Sequence, residues 1–154
     1  TFEPQSSVTR GQVVQMLYNL EGQPAVTGED GFTDVQSKDW WYNAVVWASQ
    51  NEVVSGYGDG TFQPKRNISR QEFAQMLFNY AKFKGYDLTA TGDLTKFPDG
   101  GDVAGWAETA MQWANGNELI NGYADTGKLD PLGTTVRAQA ASILTKFHQT
   151  FVNP

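Results

Sequence analysis

The sequence predicts a mainly α-helical protein of tandem helix-loop-helix repeats that close into a pseudo-threefold, three-pronged bundle. Three observations predict this class: the 154-residue chain repeats itself, each repeat spaces its apolar residues as a helix does, and a single helical hairpin leaves its apolar stripe uncovered. Repeats of this kind bury their stripes by stacking, in an open solenoid or in a closed ring. Three copies joined by long linkers favour the closed ring.

The repeat consists of two blocks. Segments 1–20, 61–80 and 128–147 align, and they bring a proline, an arginine and a Met-Leu or Ile-Leu pair into register. The block WWYNAVVWASQNEVVSGYGDG at 40–60 aligns with WAETAMQWANGNELINGYADT at 106–126. This second block precedes the later two copies, so the first copy shows only its long-helix block.

Five helices follow from the pattern. They are expected at about 8–21, 40–51, 69–84, 104–116 and 136–149. In the third of them apolar residues recur at i, i+3, i+4, i+7 and i+8, which forms one buried stripe made of Phe73, Met76, Leu77, Tyr80 and Ala81. Segments 22–31 and 85–96, rich in Gly, Thr and Asp, are predicted linkers.

The composition is that of a globular protein without a basic footprint. With 40% hydrophobic and 18% charged residues, the chain can bury a core. Its 17 acidic and 11 basic residues give a net charge of −6, and the basic residues are scattered, which argues against a nucleic-acid partner. The absence of cysteine excludes disulfides and thiol catalysis. No apolar run approaches the roughly 20 residues that span a bilayer, so we expect no membrane insertion.

An arginine directly follows the cap of each long helix. Ser69 with Glu72 fits a capping box, in which the hydroxyl and the side chain three residues on satisfy two backbone amides, and Thr9 with Gln12 fits it as well. The helix dipole disfavours a cation in the first turn by roughly 0.3 to 1 kcal/mol. We interpret the arginine as a surface residue that binds a carboxylate together with the free amides of the helix start. The alternative to an anion site is that the arginine packs over a neighbouring aromatic ring.

The tryptophans divide into two groups. The core is the default for the four tryptophans that recur on the short helices, and Trp40 and Trp106, next to polar loops, are the two that would expose a ring edge to a sugar. Trp47 and Trp113 follow them by seven residues and are expected in the core. Trp41 has no counterpart in the later repeat and is expected at the surface.

No catalytic or metal-binding pattern is found in the sequence. The loop GYGDGTF lacks the lysine and the spacing of a phosphate-binding loop and the alternating acids of a calcium loop. His148 is the single histidine, and no carboxylate pair is distinguished from solvated helix charges. Asp34 and Asp99 are interpreted as turn or cap residues, with contact to a ligand hydroxyl as the alternative. We therefore expect a binding module without cofactor or metal, and not an enzyme.

The chain resembles the S-layer homology family. The resemblance is carried by FTDV or FPDG, a tryptophan-led helix, the loop GYGDGTFQP, and ISRQE at the start of a helix. It covers nearly the whole chain, as the second half of one module at 1–24 and two complete modules at 32–88 and 97–152. The resemblance implies the three-pronged bundle and a place on the bacterial cell surface.

The resemblance also implies a ligand and its contacts. The ligand is an acidic, pyruvylated secondary cell-wall polysaccharide, held noncovalently in grooves between modules. By residue, the resemblance points to the arginines and to glycines of the neighbouring loop, which are Arg10, Arg70, Arg137, Gly58, Asp59 and Gly60. A protein-interaction or self-assembly domain of a surface layer is the alternative function.

Among the three arginines, Arg70 is expected to be the principal ligand contact. Only the second module has the complete helix, the unmodified loop, and a hydroxyl and an acid around the arginine, whereas Val136 and Gln139 replace these in the third. As a surface residue, Arg70 is expected to be replaceable without loss of the fold. In the first copy, the long helix is expected to expose apolar residues that an upstream segment or a partner chain would cover, namely Val13, Met16, Leu17 and Leu20.

Overall fold

The computed structural model describes residues 5–28 and 31–153 and is mainly helical. Within these ranges no strand forms, although the segments before the long helices make isolated β-bridges. The α-helices are α1 (Arg10–Leu20), α2 (Tyr42–Gln50), α3 (Arg70–Lys84), α4 (Glu108–Gly116) and α5 (Arg137–Phe147). All five expected helices are therefore confirmed. Closure into a threefold ring stays a prediction.

The chain divides into two compact units. The N-terminal unit comprises 8–67, and the C-terminal unit comprises 68–153 with residues 5–7. In the first unit α1 packs against α2, and in the second α3 packs against α4. Each of these long helices thus packs on the short helix of the following repeat.

The core of the N-terminal unit lies between α1 and α2. Val13 and Leu17 are completely buried, and the Tyr18 ring lies 5.7 Å from that of Trp47, centroid to centroid. The expectation of an apolar patch on α1 is wrong for Val13 and Leu17, because α2 belongs to the next repeat and covers this face. Met16 and Leu20 are half-buried.

The core of the C-terminal unit is an aromatic cluster. The predicted stripe of α3 is buried throughout, from Phe73 to Ala81. Trp113 of α4 stacks on Phe151 at 5.7 Å between ring centroids, and Tyr86 also stacks on Phe151, at 5.5 Å. Phe151 belongs to a π-helical turn at His148–Val152 that directly follows α5. Phe147 of α5 joins the same cluster, 6.0 Å from the Tyr80 ring and 6.4 Å from that of Trp113.

Short elements complete the C-terminal unit. Three 3₁₀ turns lie before α4, at Leu94–Lys96, Gly100–Asp102 and Gly105–Ala107. Trp106 lies in the last of them, so α4 begins four residues later than the pattern predicts. No helix in the described part of the chain has the length and apolarity needed to cross a membrane.

Candidate functional site

The amides at the start of the long helices are already bonded. At α1 the amides of Arg10 and Gly11 donate to the carbonyl oxygens of Arg66 (2.9 Å) and Pro64 (2.8 Å). The next amide donates to the Thr9 hydroxyl, which completes the predicted capping box. These three amides are therefore not free to bind an anion at the start of α1. That part of our interpretation is wrong.

The first amides of α3 are bonded in the same way. The amides of Arg70 and Gln71 donate to the carbonyl oxygens of Gly133 and Pro131, both at 2.9 Å. Ser69 and Glu72 form the predicted capping box. In both units, the loop of the following repeat supplies carbonyl oxygens at the position that we had assigned to a ligand.

The guanidinium of Arg10 is buried in the loop of the next repeat. Only 5% of the residue is exposed. Its Nε donates to the carbonyl oxygen of Phe62 (2.9 Å) and its Nη2 to that of Ser55 (3.2 Å). Its central carbon lies 4.6 Å from the ring centroids of both Tyr57 and Phe62. Hydrogen bonds and cation–π contacts thus offset the unfavourable dipole.

Arg70 repeats this arrangement. It is 5% exposed, so the expectation of a surface residue is wrong. Its Nε and Nη2 donate to the carbonyl oxygens of Leu129 and Asn121, both at 2.9 Å, and its central carbon lies 4.6 Å from the centre of the Tyr123 ring. Nη1 has no acceptor among the described residues.

Arg137 differs from the other two arginines. It is half-buried, and its amide donates to the carbonyl oxygen of Ser6 at 2.9 Å. Its Nε is buried and has no acceptor within the described residues. At this helix start Val136 provides no hydroxyl, and only the Gln139 side chain accepts the Val136 amide, at 3.0 Å.

Asp34 and Asp99 hold the extended segment that follows the Gly-Tyr loop. Asp34 accepts the amides of Phe62 (2.9 Å) and Gln63 (2.7 Å), and Asp99 accepts those of Leu129 (2.8 Å) and Asp130 (2.9 Å). Partial burial acts to raise the pKa of Asp99, but the two amides outweigh it and the pKa lies below its ordinary value of 3.8. These contacts favour the turn interpretation for both carboxylates.

The Gly-Tyr loop of the second repeat is exposed at its tip. Gly58 and Gly60 have φ of 83° and 87°, a backbone region that favours glycine. Asp59 between them accepts the amide and the hydroxyl of Thr61, at 3.0 and 2.6 Å. These hydrogen bonds, the hydroxyl first, lower the pKa of Asp59 from its ordinary value of 3.8. The turn is therefore preformed.

Trp40 lies at the edge of an open cleft in the N-terminal unit. It is 59% exposed, as is Trp106 in the other unit, whereas Trp47 and Trp113 are buried as predicted. The cleft has a volume of about 540 Å³. It is lined by Gln15, Tyr18, Gln23, Ala25, Val26, Trp40 and Asn43.

The lining of this cleft is aromatic and amide-rich, without a formal charge. Gln15 and Gln23 both donate to Oδ1 of Asn19, at 2.9 and 2.6 Å, which orients their carbonyl oxygens as free acceptors among the described residues. Neither Gln15 on α1 nor Gln23 beyond its end is among the predicted site residues. The recurrence of Gln and Asn four residues apart, at Gln75 and Asn79, was the available signal.

A second cleft lies beside the loop that holds Arg70. Its volume is about 510 Å³, and its lining includes Lys96, Glu118, Asn121 and Tyr123. Asn121 and Tyr123 are also the residues that contact the guanidinium. No group of His, Asp or Glu able to hold a metal ion is present in residues 5–28 and 31–153.

The N-terminal unit thus combines an exposed indole with an amide-lined cleft, on a scaffold of helical repeats. The sequence profile of the S-layer homology domain matches residues 31–74 and 96–141, which is more than half of the chain. The chain belongs to the S-layer homology domain family.

The relatives are large proteins of the cell surface and polysaccharide-degrading enzymes. They include an endoglucanase of a Bacillus species (30% identical), a surface-layer 125 kDa protein of Lysinibacillus sphaericus (27%) and a cellulosome-anchoring protein of Acetivibrio thermocellus (24%). Each match covers 94% of this chain, but only 15%, 12% and 33% of these relatives, respectively. The chain is a cell-surface anchoring module, located at the bacterial surface or wall.

Proposed function

We propose that the chain attaches a larger protein noncovalently to an acidic, pyruvylated cell-wall polysaccharide, and that it is not itself an enzyme. The endoglucanase matches it over the same 94% of its length as the surface-layer and anchoring relatives do, which supports a shared attachment role. Membership of the S-layer homology family supports the wall as the target.

The exposed Trp40 at the amide-lined cleft is the observation that carries the proposal. The CH-lined face of a sugar ring removes apolar surface from water when it packs on an indole. Acceptor oxygens of Gln15 and Gln23 face the hydroxyls that surround such a ring. Trp106, equally exposed, is proposed as the corresponding platform of the C-terminal unit.

The arginines are proposed to act mainly by shaping the loops. The guanidiniums of Arg10 and Arg70 fix the backbone of the loops that follow Ser55 and Asn121. For Arg70 we propose direct ligand contact through Nη1, at the cleft beside Tyr123. Gly58, Asp59 and Gly60 are proposed as exposed contacts at the preformed loop tip, and Arg137 as a third arginine site.

A segment that completes the first module is proposed to dock at α5. The Arg137 Nε has no acceptor among the described residues, whereas Nε of Arg10 and of Arg70 reaches a carbonyl oxygen of a following loop. An equivalent loop, from upstream in the chain or from a partner chain, would supply that acceptor.

The test is binding to purified bacterial walls. The isolated chain is sedimented with walls, with walls stripped of their secondary polysaccharide, and with walls whose pyruvyl ketals have been removed by mild acid. We expect retention by the first preparation alone. Equal retention by stripped walls would favour the alternative of a protein-interaction or self-assembly domain, and equal retention after ketal removal would contradict the acidic ligand.

A further inference from the structure

Trp41 is a buried indole with an unused donor. It is 8% exposed, so the expectation that it lies at the surface is wrong. Its Nε1 is buried and has no hydrogen-bond acceptor among residues 5–28 and 31–153. A buried donor without an acceptor costs about 1 to 3 kcal/mol. An acceptor supplied by a ligand would remove this cost.

A cleft of about 500 Å³ lies directly against this indole. It belongs entirely to the N-terminal unit. Besides Trp41, it is lined by Asp34, Gln36, Asp39, Gln63, Pro64, Lys65 and Arg66.

Two cationic side chains of the cleft have N–H donors without an acceptor among the described residues. Lys65 is exposed, and its Nζ has no partner in the described part of the chain. Arg66 donates from Nη1 to Oε1 of Gln63 at 3.3 Å, and its central carbon lies 5.2 Å from the centre of the Tyr57 ring. Its Nε and Nη2 have no acceptor within the described residues.

The two carboxylates of the cleft are directed at the backbone instead. Asp34 accepts the amides of Phe62 and Gln63, and Asp39 accepts the amide of Gln36 at 2.9 Å. The cleft therefore combines carboxylates bonded to backbone amides with N–H donors that have no acceptor among the described residues. An anion rich in acceptor oxygens complements this set, and a carboxylate does so with two oxygens.

The corresponding positions of the other repeat lack every one of these donors. Ala107 stands where Trp41 does, and Leu132 and Gly133 stand in place of Lys65 and Arg66. The C-terminal unit thus serves as an internal comparison, in which Asp99 and Asp130 occupy the positions of Asp34 and Gln63 and neither cation is present. Leu132 is 67% exposed.

We propose that the Trp41 cleft binds a carboxylate of the wall polysaccharide, with Trp41 Nε1, Lys65 and Arg66 as its donors. This inference rests on the proposed function and assigns the acidic substituent to one cleft of one repeat. The ring of Trp40 lies 4.9 Å from that of Trp41, centroid to centroid, so one polymer can place a sugar on Trp40 and its acid in the cleft. The Trp40 cleft, whose lining has no formal charge, would then bind the sugar, and the donors of the Trp41 cleft would bind its carboxylate.

The experiment follows the indole N–H signals of the ¹⁵N-labelled chain by NMR. The probe is a methyl hexopyranoside that carries a 4,6-linked pyruvate ketal, and the control probe is the same sugar without the ketal. Trp41→Phe identifies the Trp41 signal. We expect that signal to move with the ketal sugar and to stay in place with the neutral one.

Variants measure the contribution of the cations. Lys65→Ala and Arg66→Ala are each expected to weaken binding of the ketal sugar by about tenfold, as loss of a charge-assisted hydrogen bond does. Lys128→Ala removes an exposed lysine of the C-terminal unit, outside the Trp41 cleft, and should bind as the wild type does. Circular dichroism confirms that each variant is folded.

A stationary Trp41 signal, or equal affinity of the lysine and arginine variants with the wild type, would overturn the Trp41 site. If the intact chain still sediments with pyruvylated walls in that case, the proposed function stands and only the assignment of the carboxylate fails. If it sediments with no wall preparation, the proposed function fails as well.

Discussion

Nε of Arg10 donates to the carbonyl oxygen of Phe62, a residue 52 positions further along the chain, at 2.9 Å. This contact explains a cation at a helix start. The guanidinium is buried in the next repeat, where carbonyl oxygens and aromatic faces surround it, and a dipole penalty of roughly 0.3 to 1 kcal/mol is small beside these contacts. The arginine joins a long helix to the loop of the following module.

Replacing Arg70 by alanine should destabilise the protein. A buried hydrogen bond to Leu129, a partly buried one to Asn121 and the contact with Tyr123 are lost, so we expect the free energy of unfolding to fall by about 2 to 4 kcal/mol. Urea denaturation followed by tryptophan fluorescence measures it, with Lys65→Ala as an exposed control. An unchanged midpoint for Arg70→Ala would contradict the structural role.

Replacing Arg137 by alanine should cost less. Its side chain makes no hydrogen bond to the described residues, so we expect a loss below about 1 kcal/mol in this chain. The same denaturation series compares it directly with Arg70→Ala. Equal losses for the two variants would mean that Arg137 has partners equivalent to those of Arg70.

Asp99 should make the stability of the folded protein depend on pH in the acid range. Because the pKa of Asp99 in the folded protein lies below 3.8, its contribution is present above that pH and is lost as the pH falls through the folded pKa. Asp99→Asn should be less stable than the wild type at neutral pH, and the difference should shrink below pH 3.8. Thermal melts across this range test it, and a difference independent of pH would count against the assignment.

Gly56 should not tolerate a side chain. A Cβ at this position would lie 2.6 Å from both Cε1 of Phe32 and the carbonyl oxygen of Thr61. We expect Gly56→Ala to lower the free energy of unfolding by about 1 to 3 kcal/mol. Gly105→Ala is the matched control, since no atom lies within 4 Å of its Cβ position. Similar melting temperatures for both variants would refute this.

Trp40→Ala should weaken binding to pyruvylated walls with little effect on folding. The ring is 59% exposed, so its removal costs chiefly the edge contact with Trp41, about 0.5 to 1.5 kcal/mol. Sedimentation with walls, beside thermal melts, separates the two effects. Trp106→Ala, at the same exposure, shows whether the second platform binds too. Full retention of Trp40→Ala would exclude Trp40 as a sugar platform.

The local pattern of the sequence predicted the helices, the capping boxes at Thr9 and Ser69, and the division of the tryptophans into buried and exposed pairs. These features depend on residues within one or two helical turns of each other, so spacing alone is informative. Alignment of the repeats added the family and the candidate residues of the loops.

The sequence by itself determined the repeat, its helices and its family; the tertiary structure decided the environment of Arg10, Arg70 and Trp41. The partners of Arg70 lie 51 and 59 residues away, and no local rule states that the loop of the next repeat closes over the helix start. The same applies to Trp41, which packs against Gly11 of α1. A Cβ atom added to Gly11 would lie 3.4 Å from Cε3 of the indole. Burial is set by what folds against a residue, and for all three residues that partner comes from another block of the repeat.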